Sequence, residues 1–398
     1  MKYIPRDIED QLFGLLRAFP CLVVTGPRQS GKSTLLIHKL PDYRYATLDD
    51  PLARERASSD PAFFLDSLGE RAIIDEIQYA PGLLSYVKMI VDQHREQRGR
   101  FVFTGSQQFA MIRNLGDTLA GRIVLLELLP FSVAEKRRGL DLADTLTAFT
   151  HAALNGSYPE PVLNPAADIQ AWYSSYLQTY LERDIRTIYN IGNLRDFQRF
   201  LQLLAARCAQ QLNLSGFARD LGVSVPTIKS WLSILEACRI VYLLPPYHAN
   251  LGKRIVKAPK LYFLDIGLVS HLTGITSQDM LIKGPLAGPL FENFCIQETV
   301  KSFLHRGTRP PLFYVRTAAG LEIDLLIERA FEQVVPVEIK LNKTPSTSLA
   351  APLLKLAKDF PQLSLHQPML LSLADRTVPL TREVTAVSFD DYLNIIQS

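Results

Sequence analysis

Residues 21–34, Cys-Leu-Val-Val-Thr-Gly-Pro-Arg-Gln-Ser-Gly-Lys-Ser-Thr, place an apolar run directly before a glycine-rich loop. Positions 26–33 match the pattern GxxxxGK followed by Ser or Thr, and a helical pattern comes next, which is typical of a P-loop. In such a loop backbone N–H groups surround the phosphates, Lys32 reaches the β and γ phosphates, and Ser33 offers a hydroxyl to Mg²⁺. The sequence therefore predicts ATP and Mg²⁺ as ligands. The predicted nucleotide-binding residues are Gly26, Pro27, Arg28, Gln29, Ser30, Gly31, Lys32, Ser33 and Thr34.

A pair of carboxylates supports this interpretation. Residues 72–76, Ala-Ile-Ile-Asp-Glu, form an apolar run that ends in two acids. We expect Asp75 to orient the Mg²⁺ shell and Glu76 to polarise the attacking water. A solvated strand end is the alternative, but the upstream P-loop favours a catalytic pair. Another apolar run ends at Thr104-Gly105-Ser106, so Thr104 and Ser106 are candidate sensors of the γ phosphate, with an ordinary polar turn as the alternative.

Phosphoryl transfer also needs positive charge on the γ phosphate in the transition state, and an arginine often supplies it. Arg122 is the main candidate, because it begins an apolar run directly after a glycine. It would act within its own chain or on a neighbouring subunit, and a solvated arginine at a strand start is the alternative. Arg28, Arg183 and Arg186 are weaker candidates.

The order of the patterns indicates the fold class. The chain has 398 residues, of which 47% are hydrophobic and 21% are charged, enough apolar material for packed cores in two or three domains. The first third alternates short apolar runs with helical patterns, which predicts an α/β fold with a mainly parallel sheet. From about 129 to 210 helical spacing prevails, so we expect a helical lid or bundle after the sheet.

Charge, cysteines and hydropathy exclude several classes. The net charge of +3 rules out a polycation but allows a local basic patch. The 4 cysteines are far apart without a CxxC pair, which argues against a zinc site or disulfides. The N-terminus lacks the apolar segment of a signal peptide, and no apolar run approaches the roughly 18 residues of a membrane span. We expect a soluble cytoplasmic protein without a membrane partner.

Residues 210–244 are predicted to form three short helices and a strand. Gly222 falls in the turn, and Ser224 is placed to cap the helix that carries Thr227, Lys229 and Trp231. This is the pattern of a helix-turn-helix, whose second helix could enter a major groove.

A basic segment follows that pattern. Residues 250–263 contain Lys253, Arg254, Lys257 and Lys260 with no acid between them. In a winged helix such a hairpin would lie on a phosphate backbone. The recognition helix offers only one cation, however, and winged helices in ATPases also serve as packing modules. We therefore favour packing over DNA contact for this segment.

A second set of carboxylates lies on two later apolar strands. Glu322 and Asp324 share one face of their strand, as Glu338 and Lys340 do of theirs, because side chains alternate with period two. We expect Asp324, Glu338 and Lys340 to converge at one edge of a sheet, as in the PD-(D/E)xK nuclease core. There the carboxylates hold Mg²⁺ and the lysine stabilises charge. Glu292, on a predicted helix, matches the acid which that core takes from its first helix. A salt bridge on an edge strand is the alternative.

Taken together, these motifs resemble a known family. Their order along the chain is similar to that in prokaryotic AAA-type ATPases with a C-terminal domain of unknown function. The motifs are the P-loop, IIDE, TGS, LAGR, LELLPFS, NGSYPEPV, YLERDI, APKLYFLDIGL and EIDLLIE. The resemblance covers almost the whole chain. It implies an AAA+ or STAND-related core, a winged helix and a restriction-endonuclease-like α/β domain, without implying nuclease activity. We expect the domains at 1–135 (ATPase core), 136–209 (helical lid), 210–285 (winged helix-turn-helix) and 286–398 (nuclease-like domain).

Three functions fit these patterns. The first is an ATP-driven switch that hydrolyses ATP with Mg²⁺ and repositions the winged helix and the C-terminal domain. The second is an ATP-regulated, metal-dependent nuclease or nucleic-acid processing enzyme, and the third is a non-catalytic scaffold for protein partners. DNA, RNA, a protein partner and further copies of this chain all stay open as partners.

Overall fold

A computed structural model describes residues 3–105, 119–181, 194–247 and 258–397. Its first sheet has five strands in the order β2-β3-β4-β1-β5, and every neighbouring pair is parallel. The predicted parallel α/β sheet is therefore confirmed. The strands are β1 (Cys21–Thr25), β2 (Arg44–Thr47), β3 (Ala72–Asp75), β4 (Phe101–Gly105) and β5 (Ile123–Glu127).

Helices cover both faces of this sheet. Along β1, Leu22 and Val24 belong to one apolar cluster, whereas Cys21 and Val23 belong to the cluster on the other face. Because both faces are buried, the strand is a continuous apolar run rather than an alternating one. The helices of this part are α1 (Glu9–Ala18), α2 (Lys32–Lys39), α3 (Pro51–Ser59), α4 (Pro61–Ser67) and α5 (Leu83–Gln93).

A helical region follows the sheet, as its apolar spacing predicts. Stacked or tilted aromatic rings hold part of it together, among them Tyr158, Trp172 and Tyr176 with ring centroids 5.0 to 5.2 Å apart. Its elements are α6 (Val133–Arg137), α7 (Thr145–Asn155), α8 (Pro159–Leu163), α9 (Ile169–Ser175), a π-helical segment (Tyr176–Leu181) and α10 (Leu194–Ala206).

Two helices and a two-stranded antiparallel sheet come next. Ser224 accepts a hydrogen bond from the backbone N–H of Thr227 at 3.2 Å, and Gly222 ends the preceding helix with φ 70°, so the predicted cap and turn are confirmed. Trp231 packs into the core against Phe197 and Phe200. The elements are α11 (Leu214–Leu221), α12 (Val225–Ala237), β6 (Val241–Leu244) and β7 (Lys260–Phe263).

The C-terminal part contains a second, mixed sheet in the order β13-β14-β12-β10-β9-β8, with β11 beside β10. Strands β8, β9 and β10 are antiparallel neighbours, whereas β10, β12 and β14 run parallel. The elements are α13 (Ile266–Thr273), α14 (Gln278–Lys283), α15 (Ala287–Leu304), β8 (Leu312–Arg316), β9 (Glu322–Ala330), β10 (Gln333–Ile339), α16 (Ala351–Asp359), β11 (Ser364–Leu365), β12 (Met369–Leu371), β13 (Val378–Pro379), β14 (Thr385–Val387) and α17 (Phe389–Gln397).

One apolar core joins the helical region to the C-terminal sheet. Phe149 of α7 lies 5.3 Å from Phe291 and 5.5 Å from Phe294 of α15, measured between ring centroids. The same cluster includes residues of α10, α12, β7 and β10. The helical region therefore packs extensively on the C-terminal part. Among the described helices, none is both long enough and apolar enough to cross a membrane.

Candidate nucleotide site

The loop between β1 and α2 has the backbone that a P-loop requires. Gly26 has φ 141°, Gln29 φ 59° and Gly31 φ 93°, so three of its residues take positive φ values. A Cβ on Gly26 would lie 2.1 Å from the carbonyl oxygen of Leu128, and only glycine fits there. The loop leads directly into α2, whose first turn offers free N–H groups to an anion.

Lys32 is the first residue of α2, directly after this loop. Its Nζ is buried and donates to the carbonyl oxygens of Gly26 at 3.1 Å and Pro27 at 2.9 Å. Burial lowers the pKa of Lys32 to about 8, although the nearby carboxylates of Glu76 and Asp75 act in the opposite direction. A bound phosphate would provide the counter-charge that this ammonium lacks.

The carboxylate of Asp75 accepts hydrogen bonds from side chains of β2, β4 and α2. The hydroxyl of Ser33 donates to its Oδ1 at 2.8 Å, and Thr104 also donates to Oδ1. The hydroxyl of Tyr45 donates to Oδ2 at 2.7 Å. The structure thus brings Ser33, Asp75 and Thr104 together at the carboxyl edge of the sheet. Hydroxyl and carboxylate oxygens are ligands that Mg²⁺ prefers, so these residues fit that ion.

Glu76 occupies a sharp turn directly after β3. Its backbone has φ 58° and ψ 49°, a left-handed conformation that is uncommon outside glycine. The Glu76 N–H donates to Thr104 Oγ1 at 3.2 Å, while Gln78 Nε2 donates to its carboxylate. Thr104 therefore contacts the carboxylate of Asp75 and the backbone N–H of Glu76. Ser106, the other sensor candidate, lies outside the described residues.

The structure does not bring Arg122 to the P-loop. Arg122 immediately precedes β5, and β5 runs parallel to β1, so Arg122 is at the opposite end of the strands from the loop. A strand of five residues separates the two ends by roughly 15 Å. The Arg122 guanidinium instead pairs with Asp92 through Nε at 2.7 Å and Nη2 at 3.1 Å. This position disfavours action within its own chain. Of the weaker candidates, Arg28 donates to Tyr79 OH at 3.4 Å, and Arg183 and Arg186 lie outside the described residues.

Sequence patterns missed two residues of this site, Tyr45 and Arg6. Tyr45 required knowledge that β2 lies beside β3. Arg6 is buried, and its Nη1 donates to the P-loop carbonyl of Ser30 at 2.9 Å. Its Nε pairs with Glu135 at 2.9 Å, and Nη2 donates to Leu129 O at 2.6 Å. No motif marks such an arginine, because its partners are far away in sequence.

The predicted convergence of the C-terminal residues is observed. Lys340 Nζ lies 3.3 Å from Asp324 Oδ2 and 2.6 Å from Glu338 Oε1. The N–H of Ile339 also donates to Asp324 Oδ2 at 3.0 Å. Glu292 approaches from α15, and its carboxylate contacts the same lysine, Lys260, as Asp324 does.

Lys260 does not face a phosphate backbone, which was the less favoured alternative for the basic segment. Its Nζ lies 3.1 Å from Glu292 Oε1, 2.7 Å from Glu322 Oε1 and 3.3 Å from Asp324 Oδ1. The lysine side chain is 3% exposed, because its ammonium lies among carboxylates of α15 and β9. Lys253, Arg254 and Lys257 lie outside the described residues.

Burial controls the protonation of this cluster. It raises the pKa of Glu292 to about 7, with Asp324 adding to the rise and Lys260 opposing it. It likewise raises the pKa of Glu338 to about 7, with the same contribution from Asp324. Burial would also raise the pKa of Asp324, but Lys260 and Lys340 hold it below its usual value.

Comparison with known proteins places these sites in a family. An AAA domain model matches residues 18–136, and two models for domains of unknown function match residues 146–279 (DUF8612) and 287–392 (DUF4143). The uncharacterized proteins Rv2008c of Mycobacterium tuberculosis and Mb2031c of Mycobacterium bovis are each 30% identical over 391 residues, which cover 98% of this chain and 84% of the relative.

Some solved structures show a weaker likeness. The RuvB Holliday junction branch migration motor of Thermotoga maritima is 18% identical with a TM-score of 0.32, covering 60% of this chain and 89% of its own. A signal transduction ATPase with numerous domains (STAND protein) from Pyrococcus horikoshii is 10% identical with a TM-score of 0.29, covering 76% and 47%. At these scores the likeness carries no argument.

The P-loop, the acidic strand end and the AAA domain match define residues 18–136 as a P-loop domain of the AAA ATPase type. This homology supports ATP binding and hydrolysis, usually with Mg²⁺. The chain belongs to the same family as the two mycobacterial proteins.

Proposed function

We propose that the chain is an ATP-driven switch in which the nucleotide state repositions the helix-turn-helix segment and the C-terminal domain. The observation that carries this proposal is Arg6, which joins the P-loop carbonyl of Ser30 to Glu135 of α6. A shift of the loop on nucleotide binding or hydrolysis would move these contacts. The proposal keeps the four domains at 1–135, 136–209, 210–285 and 286–398.

In this proposal each residue of the nucleotide site has a separate role. Lys32 holds the β and γ phosphates, and Ser33 and Asp75 hold Mg²⁺, which would neutralise charge that develops on the transferred phosphoryl group. Glu76 accepts a proton from the attacking water, and Thr104 keeps Glu76 and Asp75 in register through its two hydrogen bonds.

Arg6 connects the P-loop to α6, and hydrogen bonds of α15 connect the residues around α6 to the C-terminal domain. The Val133 N–H donates to Glu298 Oε2 at 2.7 Å, and Lys301 Nζ donates to Phe131 O at 2.9 Å. Both acceptors and donors are buried, which makes these hydrogen bonds costly to break singly. Glu292 lies nearer the N-terminus of the same helix. A movement of α6 that shifts α15 would therefore also shift the Glu292 carboxylate.

Hydrogen exchange measured by mass spectrometry tests the switch. In Glu76→Gln, which should hold MgATP without hydrolysing it, amides of α15 should exchange at a different rate with ATP than with ADP. Lys32→Ala is the matched control, because it should bind neither nucleotide and show no difference. Identical exchange of α15 with ATP and ADP in Glu76→Gln, with both nucleotides bound, would contradict the switch.

For residues 210–285 we propose a winged helix that serves mainly as a packing module. Trp231 of its second helix is in the core, and Arg239 Nη2 donates to Glu127 Oε2 of β5 at 2.8 Å. The exposed Lys229 leaves nucleic acid as the other candidate. Salt-dependent binding of duplex DNA that weakens in Lys229→Ala, while the Lys88→Ala control binds normally, would favour that candidate.

A metal-dependent nuclease is the second candidate function, favoured by the convergence of Asp324, Glu338 and Lys340. Digestion of DNA and RNA in Mn²⁺, with Lys340→Ala as control, tests it. Cleavage that is lost in Lys340→Ala would support a nuclease. If the wild-type chain cleaves neither DNA nor RNA, the third candidate is favoured, a scaffold for protein partners that retains the cluster as a charged core.

A further inference from the structure

The carboxylate cluster of the C-terminal domain already contains a cation, supplied by another part of the chain. The Nζ of Lys260 lies within 3.3 Å of oxygens from Glu292, Glu322 and Asp324. Its backbone is held on both sides, through the β7 pairing with Leu244 and a bridge to Gln211. The ammonium therefore has a defined position between α15 and β9.

A divalent ion does not fit the cluster in this arrangement. The nuclease-type interpretation assigns Mg²⁺ to Glu292, Asp324 and Glu338, and Mg²⁺ requires ligand oxygens at about 2.0 to 2.1 Å. Lys260 Nζ contacts Glu292 and Asp324, so an ion bound to the same oxygens would lie next to a buried ammonium. Like charges repel strongly at such distances in a medium of low dielectric constant.

One acceptor of the cluster is left without a partner. Glu338 is 4% exposed, and its Oε2 has no hydrogen-bond partner among the described residues, whereas its Oε1 pairs with Lys340. Unpaired carboxylate oxygens are costly when buried. Glu338 Oε2 is therefore available as a ligand for a divalent ion if Lys260 leaves the cluster.

We propose that Lys260 occupies the cation position of this cluster and excludes divalent metals from it while β7 stays in place. The cluster then accepts a divalent ion only when Lys260 is withdrawn or replaced.

Mn²⁺ binding by the full chain without nucleotide tests the proposal, with electron paramagnetic resonance to count bound ions. Binding at the cluster is defined as the part that Glu338→Gln removes in the same background. The wild-type chain should show no such binding. Lys260→Ala should bind one Mn²⁺ there, at least about tenfold more tightly than wild type, because the repelling ammonium is gone.

Thermal unfolding supplies a second readout. Lys260→Ala should melt at a lower temperature than wild type and regain stability in Mn²⁺. Mn²⁺ should change the melting temperatures of the wild type and of Glu338→Gln equally, because it does not bind the cluster in either chain. Lys283→Ala, which removes only an exposed ion pair with Asp279, should show neither effect.

Two results would overturn the proposal: Glu338-dependent Mn²⁺ binding by the wild-type chain, or a folded Lys260→Ala that binds no Mn²⁺ at the cluster. If Lys260→Ala does not fold without metal, folding in the presence of Mn²⁺ supports the proposal. If Lys260→Ala folds in neither condition, the wild-type measurement decides: Glu338-dependent Mn²⁺ binding overturns the proposal, and its absence supports it.

Discussion

Lys32 and Glu76 separate nucleotide binding from hydrolysis at the scale of single residues. Lys32→Ala should abolish MgATP binding, because the β and γ phosphates lose their cation. Glu76→Gln should bind MgATP and trap it, because an amide cannot accept the proton of the attacking water. Calorimetric titration and steady-state turnover measure the two effects, with Lys88→Ala on α5 as the control. Undiminished turnover of Glu76→Gln would remove Glu76 from the mechanism.

The lowered pKa of Lys32 predicts a dependence of ATP binding on pH. Between its folded pKa of about 8 and its ordinary value of 10.5, the unfolded chain binds the proton and the folded chain does not. The free energy of unfolding therefore rises with pH across that window, and Lys32 makes no contribution to the slope below it. Because ATP needs the charged lysine, binding above pH 8 should take up a proton.

Calorimetry in two buffers of different ionisation enthalpy measures this proton uptake. The uptake should be present near pH 9, absent near pH 7, and lost together with binding in Lys32→Ala. Equal apparent enthalpies in the two buffers at pH 9 would contradict the assignment.

At the scale of secondary-structure elements, the start of β5 places Arg122 away from its own P-loop. If Arg122 serves a neighbouring subunit, Arg122→Ala should lower kcat by about tenfold or more with little change in nucleotide affinity. Mixing Arg122→Ala with Lys32→Ala chains should then restore turnover, because the first has an intact P-loop and the second an intact arginine. Normal turnover of Arg122→Ala would show that its pairing with Asp92 is structural.

The segment before α1 is tied to the P-loop by Arg6. Arg6→Ala should raise the KM for MgATP by about tenfold while kcat changes less, since the Ser30 carbonyl loses its donor. It should also lower the free energy of unfolding by about 3 kcal/mol, because the buried Glu135 carboxylate loses the guanidinium that pairs with it. Arg138→Ala, a more exposed arginine nearby that pairs with Asp7, is the control. A loss of stability without a change in KM would limit Arg6 to a structural role.

At the scale of the whole molecule, the core that joins α7 to α15 makes the helical region and the C-terminal domain one folding unit. Phe149→Ala should destabilise the chain by about 3 to 5 kcal/mol, because the ring is fully buried between Phe291 and Phe294. Denaturant unfolding measures the loss, and hydrogen exchange should show faster opening of both helices. Phe63→Ala on α4, where the ring is 68% exposed, is the control. Unchanged exchange of α15 would show that the two parts unfold separately.

Local patterns predicted the nucleotide site well, for a physical reason. The P-loop, Asp75 and Thr104 each follow an apolar strand, and parallel strands bring their carboxyl ends to one edge of the sheet. Tyr45 and Arg6 were missed because they act across the fold, Tyr45 from a neighbouring strand and Arg6 on a carbonyl of the loop. Contacts of this kind depend on strand order and on packing, which no local spacing encodes.

In the C-terminal cluster, too, local patterns predicted some contacts and only the tertiary structure showed others. Alternation along two strands was enough to predict that Asp324, Glu338 and Lys340 converge, since side-chain direction in a strand is a local property. The sequence of the basic segment left packing or a phosphate contact open for Lys260, and the tertiary structure buries it among three carboxylates. A lysine's burial depends on which elements pack around it, here β9 and α15. The chain by itself thus determined where Asp324, Glu338 and Lys340 lie, and only the packing of β7 placed Lys260 among the acids.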